Sequence, residues 1–251
     1  MSYLRLADAQ IYFDEHGAGV PLVLVHGFNA SGHTWRDAVA PLAARYRVIV
    51  PDLRGHGRST GSPETIHHRQ FAADLVALLD HLDVDRAHFV GHSSGGMCLL
   101  FVGTQHQERV RTLALVSATY TYDAVAQRQM HRLADTLSEN PAAVAAARRL
   151  HGPVHGDDYL KVLMEVFRGF ADDPSELPFE PADLHGISRP VLLLHGDRDE
   201  FFPVRVPIAL YQAMPNSELC ILPSTGHYPP RELPDLVLSV LTQFLERHAD
   251  A

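Results

Sequence analysis

Short runs of apolar residues recur along the chain, and each ends at a glycine or at another turn residue. The first run, QIYFDEHG, alternates apolar and polar positions and predicts an antiparallel edge strand. The runs after it are apolar throughout, as strands buried on both faces of a sheet are. They are PLVLVHG (21–27), YRVIVPD (46–52), AHFVGHS (87–93), TLALVSA (112–118), PVLLLHG (190–196) and SELCILP (217–223).

The segments between most of these strands have apolar residues at helical spacing. The segment RQFAADLVALLDHLDV is apolar at Phe71, Leu75, Leu78, Leu79 and Leu82, which form one helix face. Further helices are predicted in TWRDAVAPLAARY, GGMCLLFVGTQHQERV and ELPDLVLSVLTQFLERH. Strands that alternate with helices predict βαβ units and therefore an α/β fold with a mostly parallel sheet.

Residues 119–189 break this alternation, because they contain helical fragments but no strand pattern. The segment is too long for a loop inside a folded domain. It follows TLALVSA, the fifth of the runs given above, to which we assign the place of the sixth strand of the fold. We predict a small helical cap inserted there, over the edge of the sheet that carries the active site. Residues 1–118 and 190–251 then form the core domain.

The 251 residues carry a net charge of −9, and no concentrated basic patch is visible. Binding to nucleic acid or to an anionic membrane needs such a patch, so neither partner is predicted. No stretch approaches the roughly 20 apolar residues that span a bilayer. The N-terminal segment MSYLRLADAQ lacks the features of a signal peptide. We therefore expect a cytoplasmic protein.

The cysteines and the paired histidines do not suggest a metal site. Cys98 and Cys220 lie in apolar segments and are interpreted as buried thiols. His67 and His68, in IHHRQ, lack the spacing of zinc ligands and are interpreted as part of a solvated face. The sequence therefore predicts neither a metal nor an organic cofactor.

A serine at the end of one predicted strand has the setting of a nucleophile. In HFVGHSSGGM, the residues from Gly91 to Gly95 fit G-x-S-x-G, a strand–turn–helix elbow with Ser93 at its centre. The turn is sharp, so small residues must flank the serine. Centring the pattern on Ser94 would put His92 where a small residue is required. Ser93 is therefore the candidate nucleophile.

A serine nucleophile needs a base, and the base needs an acid that fixes its tautomer. LPSTGHYPP places His227 in the loop after the last strand, and LLLHGDRDEFFP places Asp197 and Asp199 after the strand before it. Because ligands bind beyond the carboxyl ends of parallel strands, these side chains are expected near Ser93. The residues themselves leave both aspartates open as the acid.

The motifs LVLVHGF, VPDLRGHGRS, FVGHSSGG, LLLHGDRDEFFP and TGHYPP, in this order, resemble the α/β-hydrolase superfamily over essentially the whole chain. The resemblance implies a serine hydrolase of the esterase or lactonase type. It implies Asp199 as the acid, because Gly196 to Asp199 match the family's G-x-x-D pattern. It also implies that the backbone N–H groups of Phe28 and Ser94 form the oxyanion hole.

Other residues near these motifs have less specific roles. The resemblance implies a scaffold loop at 52–59, with Asp52, Arg54 and His56, while His26 is expected to brace the oxyanion turn and His195 to end a strand. In the insertion, the candidates for contact with a polar substrate are His151, His155, Asp157 and Asp158. The alternative is a solvated helix start, because Asp157 and Asp158 suit the first turn of the following helix. The candidates for substrate binding, with packing as the alternative, are Trp35, Phe201, Phe202 and Tyr228.

The sequence thus predicts cleavage of a small carboxylic ester through an acyl-enzyme, with Ser93, His227 and Asp199 as the triad. The expected partners are a small ester or lactone and water, and the oligomeric state is left open. Hydrolysis of a lactone or enol-lactone, hydrolysis of a carbon–carbon bond and perhydrolysis use the same machinery and remain alternatives. A non-enzymatic small-molecule receptor is the alternative from a different class.

Overall fold

A computed structural model describes residues 2–251 of the chain. The strands form a single eight-stranded sheet in the order β1-β2-β4-β3-β5-β6-β7-β8. Their bounds are β1 Ser2–Arg5, β2 Gln10–His16, β3 Val20–Val25, β4 Tyr46–Pro51, β5 Ala87–His92, β6 Val110–Val116, β7 Val191–Gly196 and β8 Ser217–Leu222. The pairings from β4 to β8 are all parallel, which confirms the predicted mostly parallel sheet.

The first predicted strand is antiparallel, as expected, but it is not at the edge. β2 pairs with β4 on one side and with β1 on the other, so β1 takes the edge. The sequence pattern does not predict β1 because the strand has only four residues, of which Leu4 alone is buried.

Helices cover both faces of the sheet. Their bounds are α1 Arg36–Ala43, α2 His68–His81, α3 Ser94–Gln105, α4 Ala124–Glu139, α5 Pro141–His155, α6 Tyr159–Asp172, α7 Pro181–Leu184, α8 Arg205–Ala213, α9 Pro229–Glu232 and α10 Pro234–Arg247. The sequence patterns do not predict α7, α8 or α9, and two of these have only four residues.

Alternate residues of the central strands pack into two separate parts of the core. In β3, Val23 and Val25 face the layer that contains α2 and α3, whereas Leu22 and Leu24 face the layer that contains α1 and α10. Full burial of one such side chain contributes about 1.5–3 kcal/mol. The uninterrupted apolar runs in the sequence therefore reflect a sheet that is buried on both faces.

The segment between β6 and β7 consists of α4, α5, α6 and the short α7. Local capping explains where the first two helices begin. The Asp123 carboxylate accepts hydrogen bonds from the N–H groups of Val125 and Ala126, and the Asn140 side chain caps α5 in the same way. Gly156, with φ of 89°, ends α5. The helical fragments predicted in this segment correspond to α4, α5 and α6.

Glu176, in the loop after α6, joins the insertion to the first turn of α2. Its buried carboxylate accepts hydrogen bonds from the His68 N–H at 2.7 Å, from His67 Nδ1 at 2.9 Å and from His68 Nδ1. His67 is exposed, but His68 is fully buried. The interpretation of both histidines as a solvated face is therefore wrong for His68, because its partner lies 108 positions away.

The two cysteines differ in burial. Cys98 is buried in α3, as expected, whereas Cys220 on the edge strand β8 is only partly buried, so the prediction of a buried thiol is wrong for Cys220.

None of the helices formed by residues 2–251 combines the length and hydrophobicity that a bilayer crossing requires.

Candidate active site

Ser93 occupies the turn between β5 and α3. Its backbone has φ of 51° and ψ of −120°, a conformation that costs a non-glycine residue about 1–3 kcal/mol. Glycines on both sides make the turn sterically feasible. A Cβ on Gly91 would lie 2.4 Å from the Gly95 carbonyl oxygen, and one on Gly95 would lie 2.5 Å from the Val25 carbonyl oxygen. The G-x-S-x-G spacing is thus a steric requirement of this elbow.

The loops after β5, β7 and β8 bring the three predicted triad residues together. The Ser93 hydroxyl lies 3.0 Å from His227 Nε2. On the other side of the ring, His227 Nδ1 donates to Asp199 Oδ2 at 2.8 Å. With a proton on Nδ1, the neutral imidazole has its lone pair on Nε2, facing the serine. This is the arrangement required for a base that accepts the serine proton.

The Asp199 carboxylate is buried and held from several directions. Its Oδ1 accepts hydrogen bonds from the N–H groups of Phe201 and Phe202, both at 2.9 Å. Burial opposes its ionisation, but the interactions with His227, His195 and the Phe202 N–H outweigh burial and lower the pKa of Asp199. Asp199 is therefore ionised at neutral pH and fixes the orientation of His227.

His92, inside the elbow, contacts the loop that carries the base. Its Nε2 donates to the His227 carbonyl oxygen at 2.9 Å, and its ring packs against the Tyr228 ring, with centroids 4.3 Å apart. Burial, followed by the neighbouring His227, lowers the pKa of His92 to about 3. His92 is thus a neutral hydrogen-bond donor that holds the base loop against the elbow.

The turn after β3 runs directly beside Ser93. A Cβ on Gly27 would lie 2.9 Å from His92 Nδ1 and 3.2 Å from the Ser93 Cβ, so a larger residue would have to displace the elbow. His26 stabilises the turn as expected, since its Nδ1 donates to the Gly27 carbonyl at 2.7 Å and its Nε2 accepts from the Leu53 N–H at 2.8 Å. Phe28 and Ser94, the predicted oxyanion residues, both line the cavity next to Ser93.

A cavity of about 520 Å³ opens at Ser93 and His227. The loops of the core form its floor, and helices α4 and α6 of the insertion contribute five of its larger apolar lining residues. The polar lining includes Asn29, Glu200, Arg231 and Glu232. The larger apolar lining residues are Phe28, Met97, Tyr122, Met130, Leu133, Leu137, Met164, Phe167, Phe201, Phe202 and Tyr228.

Comparison with known proteins identifies the family. A sequence model of the family described as alpha/beta hydrolase fold matches residues 20–155. This chain belongs to the α/β-hydrolase family. The α/β-hydrolase fold predicted from the sequence is therefore confirmed.

The relatives and structural neighbours are consistent with this family. The chain is 30% identical over 265 residues to a protein of Synechocystis sp. provisionally named a non-heme chloroperoxidase, with 96% of each chain covered. It is 28% identical over 242 residues to the dihydrolipoyllysine-residue acetyltransferase component of the acetoin cleaving system of Pseudomonas putida; the match covers 92% of this chain but only 64% of that relative. A thermophilic esterase from Thermogutta terrifontis has the same fold, with a TM-score of 0.79 and 24% identity over 99% of this chain and 100% of the esterase.

Three of the four candidates for substrate binding line the hydrolase cavity, and one does not. Phe201 and Tyr228 line it, together with Phe202. Trp35 is 1% exposed and packs in the core layer of α1 and α10, away from the cavity. The prediction that Trp35 contacts substrate is corrected: its indole is part of the core.

The loop 52–59 of the hydrolase is a hydrogen-bonded scaffold. Asp52 accepts from the Gly32 N–H at 2.8 Å and from Arg58 Nε at 2.9 Å. Arg54 is buried and makes a bidentate ion pair with Asp74 at 2.8 and 2.9 Å. Asp52, Arg54 and His56 do not line the cavity, in agreement with the scaffold role that the resemblance implied.

The insertion histidines have a role that the sequence did not reveal. His151 is fully buried, and its Nδ1 accepts a hydrogen bond from the Gly57 N–H at 2.9 Å. His155 Nε2 donates to the Ser59 carbonyl at 2.9 Å, and its ring stacks on Tyr159. Neither histidine lines the cavity. Of the four candidates in the insertion, only Asp157 and Asp158 are exposed, as expected for a solvated helix start. His151 and His155 thus join the insertion to the scaffold loop, and their only sequence signal was their position in an otherwise amphipathic helix.

Proposed function

We propose that this hydrolase is a serine carboxylesterase that cleaves small esters with an apolar acyl group through an acyl-enzyme intermediate. One observation carries the proposal: the hydrogen-bonded series Ser93, His227 and Asp199 opens directly into a cavity with a mainly apolar wall. Each of these three residues belongs to one of the motifs that resemble the family.

The reaction follows from the proton positions. Ser93 Oγ attacks the ester carbonyl carbon while His227 Nε2 takes its proton, giving a tetrahedral intermediate with a negatively charged oxygen. The N–H groups of Phe28 and Ser94 stabilise that oxygen, and one such donor is worth about 3 kcal/mol in the transition state. Collapse of the intermediate breaks the bond to the alcohol, which leaves with the proton from His227.

Water completes the cycle. His227, again neutral, accepts a proton from a water molecule that attacks the acyl carbon. The second tetrahedral intermediate releases the carboxylic acid and returns Ser93 to its hydroxyl form. In both halves Asp199 stabilises the imidazolium that forms on His227, without itself taking the proton.

The cavity lining supports an apolar acyl group as the substrate's main feature. Met130, Leu133 and Leu137 of α4 and Met164 of α6 present side chains without charge or hydrogen-bonding groups other than sulfur. We propose that α4, α5 and α6 act as a cap and hold the acyl group, with Phe201 and Tyr228 beside the reacting centre. A charged diketone or acidic lactone would find no charged partner on the side formed by α4 and α6, because the charged lining residues Glu200, Arg231 and Glu232 belong to the core.

Hydrolysis of an uncharged lactone is the second candidate. A lactone is a cyclic ester, so the same residues would open it. Asn29, which follows the predicted oxyanion donor Phe28, lines the cavity and adds a polar residue near the site where the lactone carbonyl would bind.

The test is turnover of p-nitrophenyl esters by the wild type and by Ser93→Ala. We expect the variant to lose at least about 10³-fold in kcat, because the nucleophile is removed. Ser138→Ala, which removes a hydroxyl that bonds within α4, is the matched control and should retain wild-type turnover. Full activity in Ser93→Ala would disprove the proposal. Tight ligand binding without turnover of any ester or lactone would favour the receptor alternative.

A further inference from the structure

Four buried polar atoms belong to the segments where the insertion meets two loops of the core. They are Asn29 Oδ1, His56 Nε2, His151 Nε2 and the Tyr159 hydroxyl, and none has a hydrogen-bond partner within residues 2–251. Their segments are the turn after β3, the loop after β4, and helices α5 and α6. Buried polar groups without partners are rare in proteins, so a group of four at one junction needs an explanation.

The rings and backbones at this junction are in contact. The His151 and His56 ring centroids are 5.9 Å apart, and those of His151 and Tyr159 are 6.2 Å apart. The Tyr159 hydroxyl would lie 3.1 Å from a Cβ placed on Gly55, so it faces the loop that carries His56. The backbone of Asn29 lies against His151, and this interaction raises the pKa of His151 in opposition to burial.

Backbone hydrogen bonds fix the tautomer of each histidine. His56 Nδ1 faces the Arg54 carbonyl oxygen at 2.9 Å, so this nitrogen must carry the proton and Nε2 must be an acceptor. His151 Nδ1 accepts from the Gly57 N–H, so its proton must be on Nε2. Both rings are neutral: burial lowers the pKa of His151 to about 4 and that of His56 well below its usual value.

The four atoms therefore form a complementary set. His151 Nε2–H and the Tyr159 hydroxyl are donors, whereas His56 Nε2 and Asn29 Oδ1 are acceptors. A buried water molecule typically makes about three hydrogen bonds, and at most two as donor and two as acceptor. We propose that one buried water binds among these four atoms and couples the insertion, through His151 and Tyr159, to the oxyanion turn at Asn29.

This coupling rests on the proposed esterase function and gives His151 a positioning role. Asn29 directly follows Phe28, and its backbone has φ of 53°, a conformation that requires support from its surroundings. His56 also packs edge-on against the Phe28 ring, with centroids 4.8 Å apart. The water site thus contacts the residues on which the direction of the Phe28 N–H depends.

A crystal structure of the full chain tests the site directly. We expect an ordered water within about 3.2 Å of at least three of the four atoms. Direct hydrogen bonds among the four side chains, with no water between them, would overturn the proposal. This result does not depend on turnover, so it remains informative if the Ser93→Ala experiment disproves the esterase.

Thermal unfolding of Tyr159→Phe gives a second test, and the sign of the change decides it. If the hydroxyl donates to a bound water, its loss should lower Tm by about 2–4 °C. If the hydroxyl has no partner, removing a buried unsatisfied group should raise Tm instead, and the proposal fails. Tyr211→Phe, at an exposed position on α8, is the matched control.

The coupling is tested by comparing His151→Phe and His151→Gln in ester hydrolysis. We expect His151→Phe to lower kcat about 10-fold with KM within about twofold, because the oxyanion donor is displaced while substrate binding is kept. The affinity for a trifluoromethyl ketone should fall by the same factor, and His151→Gln should recover part of both losses. A change in KM alone, or unchanged kcat in both variants, would overturn the positioning role.

Discussion

The two sides of the cavity are constrained in different ways. On the core side, Ser93, His227 and Asp199 lie on turns whose backbones meet at distances that tolerate only glycine at Gly91 and Gly95. On the insertion side, the wall consists of flexible apolar side chains on helices, and Leu133 and Leu137 are only half-buried. The difference supports our proposal that the core determines the reaction and that the insertion determines which substrate reaches it.

Asp199→Asn should have the largest effect on activity. The substitution changes only the core side of the cavity. Asparagine keeps the size of the side chain but can no longer stabilise the imidazolium and favours the wrong tautomer of His227. We expect kcat to fall about 10⁴-fold, measured with p-nitrophenyl butyrate.

The matched control is Asp197→Asn in the same turn. Asp197 accepts only a 3.3 Å hydrogen bond, from the Thr225 N–H, and does not contact His227. This variant should keep kcat within about threefold. Equal losses of kcat in Asp199→Asn and Asp197→Asn would mean that the reaction requires an intact turn and not the Asp199 carboxylate as the acid.

Glu176→Gln should have an intermediate effect, on stability, because it weakens the link between the insertion and α2. Glu176 is buried, and burial alone would raise its pKa, but hydrogen bonds from His68 and His67 outweigh burial and lower it. We expect a loss of about 2 kcal/mol in the free energy of unfolding at pH 7, measured by urea denaturation. Glu165→Gln, exposed on α6, is the control and should change stability by less than about 0.5 kcal/mol.

The difference in stability between the wild type and Glu176→Gln should depend on pH, because the pKa of Glu176 is lowered in the folded protein. Because the folded pKa of Glu176 lies below its ordinary value of 4.5, its stabilisation is complete above pH 4.5 and is lost as the pH falls through the folded pKa. The wild type and Glu176→Gln should therefore converge in stability at acid pH. A difference that is the same at pH 7 and at pH 3.5 would contradict an ionised Glu176.

Leu137→Trp gives the smallest expected effect, on selectivity. A larger side chain in the α4 wall should shorten the cavity, lowering kcat/KM for the octanoyl ester about 10-fold while leaving the acetyl ester nearly unchanged. Thr136→Trp, on the exposed side of α4, is the control and should leave the preference for chain length as it is. Equal losses for both esters would place the acyl group elsewhere in the cavity.

How much the sequence predicted depends on how far apart in the chain the interacting residues are. The elbow around Ser93 was predicted because its spacing is local, and the sheet because its strands are uniformly apolar. The choice between Asp197 and Asp199 came only from the resemblance, since both follow the same strand; in the structure Asp199 is the one that contacts His227. Trp35 was predicted to contact substrate, because a buried aromatic residue has the same sequence pattern in the core as in the wall of a pocket.

By itself, the sequence determined the α/β architecture, the elbow and the order of the reacting residues, because each is encoded in short patterns or in their succession. The tertiary structure alone decided the partners of His68 and His151, which lie 108 and 94 positions away in the chain. A histidine in a helix carries no local sign of a carboxylate or a backbone N–H that only folding brings to it. For the same reason the sequence did not reveal the shape and polarity of the cavity wall, which depend on how the insertion packs near Ser93.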